Sequence, residues 1–247
     1  MRENNQTNNQ YIVSQKLKIC IKIKPGGYVP KSGLLLADYL NQTNLRDKAV
    51  LDVGCGETGV LAHCALAAGA HPVVGIDIDP TAIAHAQNAS SKSMKIYWIV
   101  SDLYSGIGDS RFDIILSNPP QMPMPIEKRN LLTNWHDSPG DTGQEAIIKM
   151  IQMGLIHLNN SGKLLILIMD FLGITKSFNE SPALEIIGRE YGLSCAVRKT
   201  YRQFVRKGGK TEQSIPWIMK IYPKYRFKKN KNGEYLYNIA IVEFSKQ

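Results

Sequence analysis

Cysteine is scarce: Cys20, Cys55, Cys64 and Cys195 are the only four in 247 residues. Their spacing suits neither paired CxxC zinc ligands nor a small disulfide scaffold, so reduced thiols in a cytoplasm are expected and no metal is implied. Long apolar runs are missing as well. None approaches the ~18 residues needed to cross a bilayer, and the polar start MRENNQTNNQ lacks the basic-then-apolar pattern of a secretory signal. No membrane partner is expected. The chain has no internal repeat and no collagen, coiled-coil or knottin pattern. Acids are also few, 21 against 30 Lys and Arg, for a net charge of +9. The imbalance is local: from Arg198 to Lys231 twelve Lys and Arg face a single acid, Glu212, so the rest of the chain is slightly acidic. That segment can meet an acidic partner.

A hydrophobic content of 43% at this length supports one substantial core. Residues 1–10, rich in Asn and Gln, read as a disordered tail, and residues 11–247 read as a single domain. Apolar residues alternate through Leu17, Ile19, Ile21 and Ile23 up to Pro25-Gly26-Gly27, which predicts a strand or hairpin. Ser32 then opens the helix-like run GLLLADYL. Beyond it the periodicity switches repeatedly. Strands are predicted at Ala49–Val53, Pro72–Ile78, Lys95–Val100, Phe112–Leu116 and Lys163–Met169. Helices are predicted at Val60–Ala68, Thr81–Ala89 with Asp79-Pro80 as the start signal, and about Thr142–Leu158. A helix near Ala183–Tyr191, a strand from about Ser194 and the alternating Tyr235–Phe244 follow. Strands alternating with helices predict an α/β fold with a mostly parallel sheet covered on both faces. The connection 202–234 is too long for an ordinary loop and mixes aromatics with its cations. It reads either as a solvated, partly mobile hairpin or as a nucleic-acid contact.

Asp52-Val53-Gly54-Cys55-Gly56-Glu57-Thr58-Gly59 joins the first buried strand to a helix. Glycines there let a ligand lie directly on the backbone. Taken alone the motif is also GxGxxG, with Asp77 ending the next strand, as in a dinucleotide site. Asp52 separates the two options. A carboxylate at the strand end would repel a pyrophosphate but suits S-adenosylmethionine, which carries a sulfonium and an ammonium and no phosphate. Nothing near Cys55 marks it as a nucleophile.

These residues resemble the class I S-adenosylmethionine-dependent methyltransferases over roughly Tyr28 to Phe244. Asp52–Gly59 matches their first motif, Asp77 with Ile78 beside it matches the ribose-binding position, and Ser101-Asp102-Leu103 matches the adenine-contacting position. The resemblance implies S-adenosylmethionine held by Asp52, Gly54, Cys55, Gly56, Asp77, Ile78, Asp102, Leu103 and Asn118. It also implies a Rossmann-like seven-stranded sheet with an antiparallel last strand, extended here by the N-terminal hairpin.

Ser117-Asn118-Pro119-Pro120-Gln121 follows the fourth strand of this series. Two prolines fix the backbone and leave carbonyls free, so the segment presents rigid acceptors suited to an NH2 group. If the Asn118 oxygen and the Pro119 carbonyl each take one N–H, the nitrogen lone pair can be aimed at a methyl carbon without a strong base. The segment resembles the Asn-Pro-Pro-aromatic signature of N-methyltransferases, including the release-factor glutamine methyltransferase group and base-amino methylases of RNA and DNA. Gly27-Tyr28-Val29-Pro30 and Leu34–Asp38 resemble the stretch before the first motif in that group. Gln121 replaces the aromatic, which weakens the case for a flipped base and could hydrogen-bond a polar substrate. The acid common after the Pro30 position is also absent.

Pro139-Gly140-Asp141-Thr142-Gly143 reads equally as an active-site loop or as a helix cap at Asp141 or Thr142. Trp135 and His136 lie close by, and the remaining histidines carry no signal. The expectation is an N-methyltransferase with Asn118, Pro119, Pro120 and Gln121 as its catalytic segment. Its acceptor is an amide or amino nitrogen of a small molecule or a protein side chain, or alternatively a base amine of RNA or DNA met through Arg198–Lys231. A dehydrogenase and a non-catalytic subunit of this fold are the disfavoured readings.

Overall fold

The computed structural model describes residues 10–14, 19–23, 31–90, 95–129 and 139–247. The expected tail lies outside them apart from Gln10, which opens strand β1 (Gln10–Ser14). β1 pairs antiparallel with β2 (Ile19–Ile23), whose Ile19, Ile21 and Ile23 are buried while Cys20 and Lys22 face out. This is the predicted hairpin. Helix α1 (Gly33–Leu40) follows, burying Leu36, Ala37 and Leu40.

The alternation of periods then produces β3 (Val50–Val53), α2 (Val60–Ala67), β4 (Val73–Asp77), α3 (Pro80–Ala89), β5 (Ile96–Val100) and β6 (Phe112–Ser117). The Asp79 side chain caps α3 by accepting the Thr81 N–H at 2.8 Å, with Pro80 at the first helical position. The short α4 (Ile126–Arg129), α5 (Glu145–Gly154), β7 (Leu158–Met169), α6 (Leu184–Glu190), β8 (Leu193–Phe204), α7 (Lys210–Ile221), β9 (Lys228–Lys229) and β10 (Tyr235–Lys246) complete the chain. The main sheet runs β5-β4-β3-β6-β7-β10-β8. It is parallel from β5 to β7, β10 enters antiparallel between β7 and β8, and the two-residue β9 pairs with the start of β10. The seven-stranded sheet with its antiparallel last strand is thus present.

The sheet divides two cores, and the two-residue period of a strand assigns its side chains to them alternately. Ala240, Val242 and Phe244 of β10 join α5, α6 and α7 in one, while Ile239 and Ile241 join α1 and α2 in the other.

Two expectations need correction. α5 begins at Glu145, and Thr142 lies in the turn before it. The connection 202–234 is no solvated hairpin: Ile215, Ile218, Tyr222 and Tyr225 are buried. Ile215, Ile218 and Tyr222, spaced three and four apart, make an apolar stripe. The rings of Tyr222, Tyr225 and Phe227 gather around the fully buried Phe171. Pro216, inside the helix, and Lys220 interrupt the stripe and mask this helical signal in the sequence.

Candidate functional site

β3 connects to β4 on one side and is flanked by β6 on the other, which makes a topological switch point, and ligands of open α/β sheets bind at the carboxyl ends of such strands. Val53 and Ser117 are in register there, and the buried Ser117 hydroxyl donates to the Val53 carbonyl at 2.8 Å. The glycine turn and the Asn-Pro-Pro segment therefore leave the sheet side by side.

On the glycine side, Gly54 and Gly56 have φ of 70° and 62°, which glycine adopts without cost. A Cβ at either would meet nothing within 4 Å, so both line open ground. Gly59 differs, since a Cβ there would lie 2.1 Å from the Trp98 ring; it serves packing. Asp77 accepts the Gly56 N–H on one oxygen at 2.8 Å and the Asp79 N–H on the other at 3.0 Å, which fixes the acid against the loop. Ile78 beside it is half-buried. The Ser101 N–H donates to the Asp77 carbonyl, and the Ser101 hydroxyl closes the following turn by accepting from Gly106. That turn sets the exposed Asp102 and the half-buried Leu103 at the carboxyl end of β5. Cys55 is buried, and its thiol is pushed well up by burial and by the charges of Asp52 and Asp77. It is neutral and no nucleophile.

Asp52 is 1% exposed. One carboxylate oxygen accepts the Ala62 N–H of α2 at 3.0 Å, and the other has no hydrogen-bond partner among the described residues. Burial pushes its carboxyl up to about 7, with the Asp77 charge adding to the rise and the Ala62 hydrogen bond opposing it. An orphaned carboxylate oxygen beside two open glycines fits a ligand with cationic groups.

On the other side, Asn118 is half-buried and its side-chain oxygen lies 3.4 Å from the Ser32 hydroxyl at the start of α1. Pro119 is buried and Pro120 exposed. Gln121, expected to face substrate, has a different task. Its amide donates to the Leu167 carbonyl at 2.8 Å and accepts the Met169 N–H at 2.7 Å. β6 has stopped pairing at Ser117 opposite Ile166, so the carboxamide takes the place of the next backbone rung and satisfies groups that an aromatic would leave bare. Gln121 therefore positions the turn rather than presenting its amide to a ligand.

The loop at Gly140–Gly143 belongs to the same wall. Met124 donates to the Gly140 carbonyl at 3.1 Å, and a Cβ on Gly143, φ 80°, would sit 2.3 Å from the Gln121 carbonyl oxygen. The Thr142 hydroxyl accepts the Gln144 N–H at 3.2 Å, while Gln144 itself occupies the helix start. Ser32, Tyr222 and Trp217 join this region without a sequence signal that marks them for it. The first is visible only through the fold, and the other two sit in a segment whose charge masks its aromatics. Trp135, His136 and the Gly27–Pro30 stretch lie outside the described residues.

A family model described as methyltransferase small domain matches residues 28–185. A Methanocaldococcus jannaschii protein whose name proposes protein N5-glutamine methyltransferase activity is 28% identical over 189 residues, 76% of this chain and 93% of its own. The ribosomal protein L11 methyltransferase of Paraburkholderia phymatum is 41% identical over 87 residues, covering 34% of this chain and 29% of its own length. Among solved structures, a T. thermophilus 16S rRNA N2 methyltransferase in complex with AdoMet and guanosine aligns at TM-score 0.56 and 18% identity. That match covers 96% of this chain and 50% of the other and is a likeness of fold.

Proposed function

The chain belongs to the methyltransferase small domain family and is an S-adenosylmethionine-dependent enzyme, and from that premise we propose that it methylates an amide or amino nitrogen of a protein side chain or a small molecule. When bound, S-adenosylmethionine would supply an electrophilic methyl on its sulfonium: the nitrogen would gain that carbon as the carbon–sulfur bond breaks, S-adenosylhomocysteine would leave as the neutral thioether, and the nitrogen would release one proton to solvent. Asp52, Gly54, Gly56, Asp77, Ile78, Asp102 and Leu103 are the residues that would hold it. The glycines offer backbone without side chains, and the orphaned Asp52 oxygen offers negative charge to cationic groups.

The observation that carries the acceptor reading is the position of Asn118 and the Pro119 carbonyl, across the switch point from Gly54 on a backbone that Gln121 ties to β7. A carbonyl oxygen has two lone pairs, so the Asn118 oxygen can keep Ser32, and the Pro119 oxygen the Gln121 amide that donates to it at 3.4 Å, and each still accept an N–H. Two acceptors on a fixed backbone hold an NH2 group with its lone pair directed, and such orientation lowers the barrier without a strong base. The Methanocaldococcus jannaschii relative, aligned over most of its length, favours a side-chain carboxamide. We place the enzyme in the cytoplasm, where its four cysteines stay reduced.

A second reading, a base amine of RNA or DNA, is favoured by one feature. β10 meets β7 only from Ile239 onward, so its first residues, the end of β8 and β9 overhang the carboxyl edge. Exposed Arg202, Arg206, Lys207, Lys228 and Lys229 sit there. Transfer of labelled methyl from S-adenosylmethionine into protein, RNA, DNA and small-molecule fractions of a cell extract distinguishes the two. Label in protein or small molecules is the expected result, and label in nucleic acid selects the second reading. Asn118→Ala should keep cofactor affinity within about threefold and lower transfer by about a hundredfold or more, equivalent to about 3 kcal/mol of transition-state stabilisation. Undiminished transfer by that variant would overturn the role of Asn118.

A further inference from the structure

The family match ends at residue 185, yet the wall behind the acceptor segment is completed by residues far beyond it. Trp217 of α7 donates its indole N–H to the Asp141 carbonyl at 3.1 Å. Tyr222, at the end of the same helix and fully buried, donates its hydroxyl to the Thr142 carbonyl at 2.7 Å. Both bonds fall on consecutive peptide units of the loop that packs Gly143 onto the Gln121 carbonyl and Gly140 onto Met124. Gln121 in turn fixes the Pro119-Pro120 turn through the end of β7.

We propose that Tyr222 and Trp217 are positioning residues for methyl transfer, holding Asn118 and the Pro119 carbonyl in place through the Gly140–Gly143 loop. The inference rests on the reading of those two acceptors given above. The helix that carries the pair is itself rigidly placed. Tyr225, three residues beyond Tyr222, donates to one Asp170 oxygen at 2.8 Å, and Asn238 of β10 donates to the other at 2.8 Å. Asp170 directly follows Met169, whose N–H Gln121 accepts, so the insertion and the acceptor turn are anchored on adjacent residues of one strand end. The Phe171 ring, packed against Tyr222 and Tyr225 at centroid distances of 6.3 and 5.9 Å, fills the space between them. The loop is therefore held on its outer side: without the two donors, its carbonyls at Asp141 and Thr142 lose the partners that this helix supplies. Precise placement matters because displacing a reacting group by about 1 Å costs on the order of a hundredfold in rate.

The test uses the full chain with Tyr222→Phe and Trp217→Phe, singly and together; each keeps a ring and removes one donor. Amide hydrogen exchange followed by mass spectrometry is read on peptides covering 117–124, 139–144 and 50–62. The double variant should exchange at least tenfold faster in the first two with the third unchanged, and should bind S-adenosylmethionine as the wild type does. In the labelled fraction, kcat should fall about tenfold or more with KM for S-adenosylmethionine unchanged. Unaltered exchange at 117–124, or acceleration that spreads equally to 50–62, overturns the proposal, the latter by showing general loosening. If wild-type protein labels no fraction, the acceptor reading fails, while the exchange pattern still decides whether these two donors hold the turn.

Discussion

Asp52 answers to two opposed demands. Buried as a carboxylate with one oxygen unpartnered, it lowers the stability of the ligand-free protein, and the same oxygen is what a cationic ligand can use. The sign of the pH effect follows. The folded state holds a proton on Asp52 between its ordinary 3.8 and about 7, a window in which the unfolded chain has released it. Stability of the ligand-free enzyme should thus fall as pH rises through that window, by about 1.4 kcal/mol for each tenfold drop in proton concentration. A cationic methyl donor favours the ionised form, so affinity for S-adenosylmethionine should rise from about pH 6 to about pH 8 with release of a proton. Calorimetry in buffers of differing ionisation enthalpy reads both effects. Asp52→Asn should flatten the pH profile, raise thermal stability near pH 8 and weaken cofactor binding about tenfold or more, or about 1.4 kcal/mol. A pH-independent affinity in the wild type would remove Asp52 from the cofactor site.

At the scale of elements, the carboxyl end and the middle of the β7-β10-β8 ribbon do different work. Its carboxyl end carries Asp170 and the Gln121 rung. Its middle is joined by Glu243, a buried acid on β10 that bonds Arg198 of β8 through both oxygens, at 3.0 and 2.6 Å, and meets Lys163 of β7 at 3.3 Å. Burial raises the Glu243 carboxyl, but the Arg198 hydrogen bonds and the Lys163 charge outweigh it and hold the group below its usual 4.5. A depressed carboxylate contributes stability above its unfolded value and loses it as pH falls through the folded one. The enzyme should therefore lose stability in the acid range below about pH 4.5, and Glu243→Gln should remove that acid-dependent part. The variant should be destabilised by roughly 1.5–3 kcal/mol near neutral pH, the range for hydrogen bonds to charged groups, as read by urea denaturation. Methyl transfer should be spared, because β7 lies between Glu243 and the acceptor segment and none of the three side chains bonds Asn118, the prolines or Gln121. Comparable loss of transfer and of stability would show that this ion-paired cluster also sets the site.

Across the whole molecule the charge is polarised, with the basic overhang beside the carboxyl edge and a slightly acidic remainder. With a carboxamide acceptor, KM should vary by less than about threefold between roughly 50 and 200 mM salt; a nucleic acid held by six to ten phosphate contacts would lose about a thousandfold or more in affinity. Steady-state kinetics on the labelled fraction at both salt concentrations measures this. By itself the sequence determined what depends on neighbours along the chain. The switching periods, Asp79-Pro80 at a helix start, glycines that must take positive φ and acids at strand ends together specified the α/β order and the glycine turn at the end of β3. Only the tertiary structure decided what depends on partners far away in sequence. Gln121 reads as a substrate contact because its neighbours suggest it, whereas β7, 46 residues on, offers two bare backbone groups that claim its amide. The segment 202–234 reads through its charge, whereas Phe171 and the Asp141 and Thr142 carbonyls claim its aromatics. Burial is a property of the assembled sheet: a polar or aromatic side chain goes wherever an unsatisfied group or a cavity is left, and local sequence carries no record of where that will be.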